Sequence, residues 1–74
     1  MSLERIFSEV FHIPEKGVHD LLELRGIPSW DSMSHMMLIA RVEEAFAVEL
    51  TGDEIADFRT VSDVRAALQR RGVQ

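Results

Sequence analysis

The chain has 74 residues, 46% of them hydrophobic, with no cysteine and a formal net charge of −5. These values exclude disulfide staples and a cysteine-based zinc site, and the acidic balance argues against a nucleic-acid partner, which would favour a basic face. A chain this short buries only about 60% of its extended surface, so residues 1–74 are read as one domain with a compact, local core.

Leu3, Ile6, Phe7, Val10 and Phe11 recur at helical spacing and predict a first helix with one apolar stripe. Ser2 suits its N-cap and Pro14 stops it. Residues 13 to 30 read as a long connection punctuated by Gly17, Gly26 and Pro28. Within it Leu21, Leu22, Leu24 and Ile27 are expected to pin the chain to the core, through a helical turn. Connections this long in small bundles tend to be functional. A second helix is expected from Ser32 to Ala47, with Asp31 as N-cap. Thr51 and Glu54 form a capping box that opens a short third helix over 52 to 57. Thr60 to Asp63 resembles another cap, after which Val61, Val64, Ala67 and Leu68 give the last helix its stripe and Gly72 stops it. The predicted fold class is all-α: a small bundle of three longer helices plus one short helix, with a long loop between helices one and two.

The second helix carries two apolar faces. At 100° per residue, Leu38, Ile39, Val42, Ala45 and Phe46 gather on one side. Met33, Met36, Met37 and Ala40 gather on nearly the opposite side, with Glu44 beside them. A helix in a small bundle buries only one such face. The aliphatic and aromatic set has the composition of a core, so the methionine set is expected to be exposed, as a partner-binding surface built from adaptable side chains. The competing reading makes the methionines gap-fillers in the core.

Charge is uneven along the chain. Between Val42 and Phe58 lie six acids (Glu43, Glu44, Glu49, Asp53, Glu54, Asp57) and no Lys or Arg, and four arginines follow from Arg59 onward. A solvated acidic face is the plain reading. As a block beside the second helix, it would also steer basic partners toward that helix.

Asp31-Ser32-Met33 sets a hydroxyl at the opening of the second helix. On position alone Ser32 is a capping residue. However, the stretch from Trp30 to Phe46, its Glu43-Glu44-Ala45-Phe46 ending and the downstream Thr60-Val61-Ser62-Asp63-Val64 together resemble the carrier helix region of acyl carrier proteins. The resemblance extends over nearly all of the chain. It implies that Ser32 carries 4′-phosphopantetheine, loaded from coenzyme A by a phosphopantetheinyl transferase with magnesium, and that Asp31 helps present the serine. It fits a chain without cysteine, which has no thiol of its own to hold an acyl group.

The resemblance further implies a carrier, not an enzyme, with no catalytic or metal-ligating residue. Acyl-activating, acyl-transferring and condensing enzymes would dock on Met33, Met36, Met37, Ala40 and Glu44, in fatty-acid, polyketide or other specialised biosynthesis. A peptidyl, D-alanyl or amino-acyl carrier is the alternative within the family. A helical interaction module with no prosthetic group, using the methionine face, is the alternative outside it. Ser29 stands where the family often has glycine, and Ser34 and Met37 stand where acids are common, so the implied contact is more apolar than usual. Trp30 reads either as a partly buried loop anchor or as a shield for the arm.

Asp31, Ser32 and His35 look like parts of a hydrolytic triad, but Asp31 at the cap is poorly placed to orient His35, and so small a chain has little room for an oxyanion hole and pocket. His35 is read as packing near the serine. His12, His19 and His35 are too scattered for a metal site. The first residues lack the build of a signal peptide, and no apolar run approaches roughly 18 residues. A cytoplasmic monomer with no membrane contact is therefore expected.

Overall fold

The computed structural model describes residues 2–73; Met1 and Gln74, the two ends of the expected 1–74 domain, lie outside the described residues. Four helices follow one another: α1 Leu3–Phe11, α2 Ser32–Phe46, α3 Gly52–Asp57 and α4 Val61–Arg70. The long loop between α1 and α2 contains two single 3₁₀ turns, Glu15–Gly17 and Leu24–Gly26. The described residues contain no strand, only an isolated bridge between Glu23 and Thr60. No helix among them is long and apolar enough to cross a membrane.

The apolar stripes converge on one core. The whole predicted stripe of α1 is buried, together with Leu38, Ile39 and Val42 of α2 and Val61, Val64, Ala67 and Leu68 of α4. α3 contributes no fully buried residue, only the half-buried Ile55. Ion pairs Arg41–Glu9, between α2 and α1, and Arg65–Glu4, between α4 and α1, lie at the edge of these contacts.

Helix ends follow from local chemistry. Ser2 caps α1 by accepting from the Arg5 N–H at 3.2 Å. Thr51 and Glu54 bond each other's backbone N–H groups at the start of α3. At the start of α4 the Asp63 carboxylate accepts from the N–H groups of Arg59 and Thr60. α1 and α2 both end on a non-glycine residue in the left-handed region, His12 at φ 57° and Ala47 at φ 53°. Gly72, at φ 75°, does the same beyond α4 at no steric cost.

The loop is a strap held across the start of α4. Val18, Leu24 and Ile27 are buried, and Leu22 is half-buried against the core. Val61 and Ser62, the first two residues of α4, donate their N–H groups to the carbonyls of Leu22 and Asp20 at 3.1 and 3.0 Å. These amides have no acceptor within their own helix, so the loop satisfies them. Leu24 N–H returns to the Arg59 carbonyl at 2.8 Å, and Arg65 reaches Asp20 at 3.0 Å.

Two expected core residues are outside it. Leu21 is 80% exposed. The strap is extended around the bridge at Glu23, so alternate side chains face opposite ways; Leu22 and Leu24 take the inner positions and leave Leu21 and Glu23 outside. Ala45 is also exposed. It lies about 60° from the middle of the buried α2 stripe at 100° per residue, and its methyl group is too short to reach back.

Candidate functional site at the start of α2

Asp31 and Ser34 build the opening of α2. The Ser34 N–H donates to Asp31 Oδ1 at 2.7 Å, and the Asp31 N–H donates to Ser34 Oγ at 2.8 Å. The hydroxyl of Ser34 lies 3.1 Å from the Asp31 carbonyl and 3.3 Å from that of Ser29. The Ser34 backbone N–H, then its side chain, hold the Asp31 carboxyl below its ordinary value. Serine thus replaces the usual Glu of a capping box, which accounts for Ser34 at this position.

Ser32 is the first residue of α2 and is exposed. Capping is done by the residues on either side, and the Ser32 hydroxyl has no hydrogen-bond partner among the described residues. Its Oγ is therefore free to be substituted without cost to the helix start, at the positive end of the helix dipole, where an attached phosphodiester is favoured.

The loop before it is anchored at three points. Ser29 Oγ donates to the Phe11 carbonyl at the end of α1, at 2.7 Å. The Trp30 indole N–H donates to His35 Nδ1 at 3.1 Å, with the rings edge to face and 5.8 Å apart. The Arg25 guanidinium sits 5.1 Å from the centroid of Trp30. Trp30 is half-buried against the core and serves as a loop anchor. His35 Nε2 bonds the Ile55 carbonyl of α3 at 3.0 Å. Both imidazole nitrogens are thus engaged, and neither by Asp31 or Ser32. These three residues form no hydrolytic triad.

The remaining candidates lie on the outer face of α2. Met33, Met36 and Met37 are 74%, 53% and 53% exposed, and Ala40 and Glu44 are exposed beside them. The methionines are not core filler. Of the six acids from Glu43 to Asp57, two have structural partners: Glu43 Oε2 accepts from Leu50 N–H at 2.9 Å, and Glu54 takes Arg70 and Arg71. Arg71, then the Thr51 N–H, holds the Glu54 carboxyl far below its ordinary value. Glu44, Glu49, Asp53 and Asp57 have no side-chain partner among the described residues and face solvent. A shallow groove between α3 and α4, lined by Asp53, Glu54, Asp57, Phe58, Asp63, Ala66 and Arg70, includes neither Ser32 nor the methionines. No group of acids and histidines able to hold a metal ion occurs among the described residues.

The family model for the phosphopantetheine attachment site matches residues 2–68. The chain belongs to the phosphopantetheine attachment site family. Among solved structures, this attachment domain superposes on an acyl carrier protein candidate from Mycobacterium tuberculosis with a TM-score of 0.83 at 18% identity, over 95% of this chain and 99% of that one. It superposes on a holo acyl carrier protein from Nitrosomonas europaea with a TM-score of 0.83 at 23% identity, over 97% and 93% of the two chains. At these identities the likeness is one of fold. No protein of curated function matches the chain. The phosphopantetheine attachment domain thus has an acyl-carrier-protein-like fold, and its family is one in which phosphopantetheine is the prosthetic group.

Three features of the site go beyond the sequence reading: the Ser29 tie to α1, the Ser34 half of the cap, and the Trp30–His35–Ile55 chain. Only the last had a trace, in two amphipathic rings five residues apart beside the serine.

Proposed function

We propose that Ser32 is the attachment residue and that the protein is an acyl carrier protein, carrying acyl intermediates between enzymes of a fatty-acid, polyketide or other specialised pathway. The observation that carries this reading is the uncommitted, exposed Ser32 hydroxyl between two residues that already complete the cap, in a chain of this family without a thiol. The phosphopantetheine arm supplies that thiol and takes cargo as a thioester. The chain's own residues present Ser32, orient it through Asp31 and Ser34, and offer a docking face.

That face is Met33, Met36, Met37, Ala40 and Glu44, and the exposed acids Glu49, Asp53 and Asp57 follow it along the chain. Its mixture supports partners with an apolar contact inside a basic rim, first a phosphopantetheinyl transferase and then acyl-activating and acyl-transferring or condensing enzymes. Exposed carboxylates speed such encounters more than they add affinity. The Asp before the serine supports acyl over peptidyl cargo, and a cytoplasmic monomer is the form proposed.

The test is intact mass after incubation with coenzyme A, magnesium and a broad-specificity phosphopantetheinyl transferase. Wild type is expected to gain one phosphopantetheine group and Ser32→Ala none, with both proteins folded by circular dichroism. Gain by both, or by neither, removes Ser32 from this role.

A further inference from the structure

We propose that His35 is a relay between the loop preceding Ser32 and α3, and that it works through its tautomer. The Trp30 indole N–H can only donate, so His35 Nδ1, 3.1 Å away, accepts and carries no hydrogen. The Ile55 carbonyl can only accept, so Nε2, 3.0 Å away, carries the hydrogen. Both partners select the same neutral form. The other tautomer would set a donor against a donor at Trp30 and a lone pair against a carbonyl at Ile55. When one contact is lost, the ring can adopt the form that the other partner cannot use. The two bonds are therefore coupled, as members of one network are.

The coupling matters because α3 is held through few side chains: Glu54 pairs with Arg70 and Arg71, and Ile55 packs against the core and takes the His35 bond on its carbonyl. The helix has six residues, none of them fully buried. The Ile55 carbonyl lies in its last turn, where helix carbonyls lack intrahelical donors. The N–H of Arg59, four residues on, bonds the Asp63 carboxylate instead, at 2.9 Å. His35 supplies the missing donor from α2. At the other end of the relay, Trp30 stands two residues before Ser32. A partner that grips the loop at Asp31-Ser32 and lifts Trp30 off the imidazole loosens α3 without touching it. The inference rests on these bonds and is independent of any group attached to Ser32.

Trp30→Phe keeps the aromatic ring and removes the indole N–H. Nitrogen-15 NMR of His35 in alkaline buffer reads the tautomer directly. Wild type is expected to hold the Nε2–H form alone, and Trp30→Phe a mixture of the two. Amide exchange in Gly52–Asp57 is expected to quicken roughly three- to tenfold, the effect of one lost hydrogen bond, while the amides of Leu3–Phe11 keep their wild-type rates. In a His35→Leu background Trp30→Phe is expected to add nothing to α3 exchange. If His35→Leu does not fold, the tautomer and exchange data of Trp30→Phe alone decide. An unchanged tautomer with unchanged α3 exchange overturns the relay. So does an equal acceleration in α1, or a Trp30→Phe effect that persists without His35.

Discussion

Asp31 and Ser34 bond each other reciprocally across the first turn of α2, at 2.7 and 2.8 Å, and Ser32 lies between them without a share in either bond. This arrangement separates structure from chemistry at neighbouring positions. Removing an N-cap side chain costs about 0.5–2 kcal/mol. Asp31→Ala and Ser34→Ala are each expected to lower the unfolding free energy by about 1 kcal/mol in urea, whereas Ser32→Ala stays within about 0.5 kcal/mol of wild type. A larger loss for Ser32→Ala would assign its hydroxyl a structural task.

Met37 is half exposed on the face opposite the core stripe. Met37→Glu is therefore expected to leave stability within about 0.5 kcal/mol of wild type. Covering a methionine at an interface is worth about 1.5–3 kcal/mol, so the KM of a phosphopantetheinyl transferase for the apo protein should rise about tenfold or more, with kcat nearly unchanged. An unchanged KM would put the docking surface elsewhere.

Ala47 ends α2 at φ 53°, where its Cβ is crowded. Glycine has no such penalty there, and its greater freedom in the unfolded chain offsets only part of the gain. Ala47→Gly is expected to stabilise the fold by about 0.5–1 kcal/mol, seen as a higher urea midpoint at an unchanged slope. Ala47→Val, branched at Cβ, should move the midpoint the other way.

Glu54 receives Arg71 and Arg70 from beyond and within the end of α4, and its folded pKa lies well below its ordinary value of 4.5. A carboxylate with a lowered folded pKa adds stability above its unfolded pKa, and that contribution is lost as pH falls through the folded value. Wild type should therefore melt at a higher temperature than Glu54→Gln at pH 7, and the two melting curves should converge from about pH 5 downward. The lowered carboxyls of Asp31 and Glu9 titrate in both proteins and cancel from the comparison. A gap as wide at pH 2 as at pH 7 would mean that Glu54 acts through packing.

The helices were legible in the sequence because each is written redundantly. The stripe of α1 has five apolar residues in register, and the caps at Ser2, Thr51 and Asp63 stand where their side chains are used. α2 differed from its expected extent by one residue, Ala47, which is its C-cap. Composition separated the two faces of α2, yet Ala45 shows that angle alone does not bury a residue near the edge of a stripe. Leu21 was misplaced for a related reason. A run of leucines in a loop does not reveal that the strap is extended, and an extended strap can face only alternate residues inward. Asp31 as N-cap of a helix opening at Ser32 was legible through a local motif. The bonds from Ser29 to α1 and from His35 to α3 were not, since they join segments 18 and 20 residues apart through polar side chains that no periodicity marks.

The central claim is that Ser32 alone carries the prosthetic group. Five other described serines offer hydroxyls, among them Ser29 and Ser34 on either side of the helix start. The direct measurement is fragment-ion mass spectrometry on the peptide containing residues 26–41, taken from protein loaded by a phosphopantetheinyl transferase. The account predicts that the phosphopantetheine mass lies on fragments containing Ser32 and on none that contains only Ser29 or Ser34. Modification at either neighbour, or on a peptide outside this one, would contradict it.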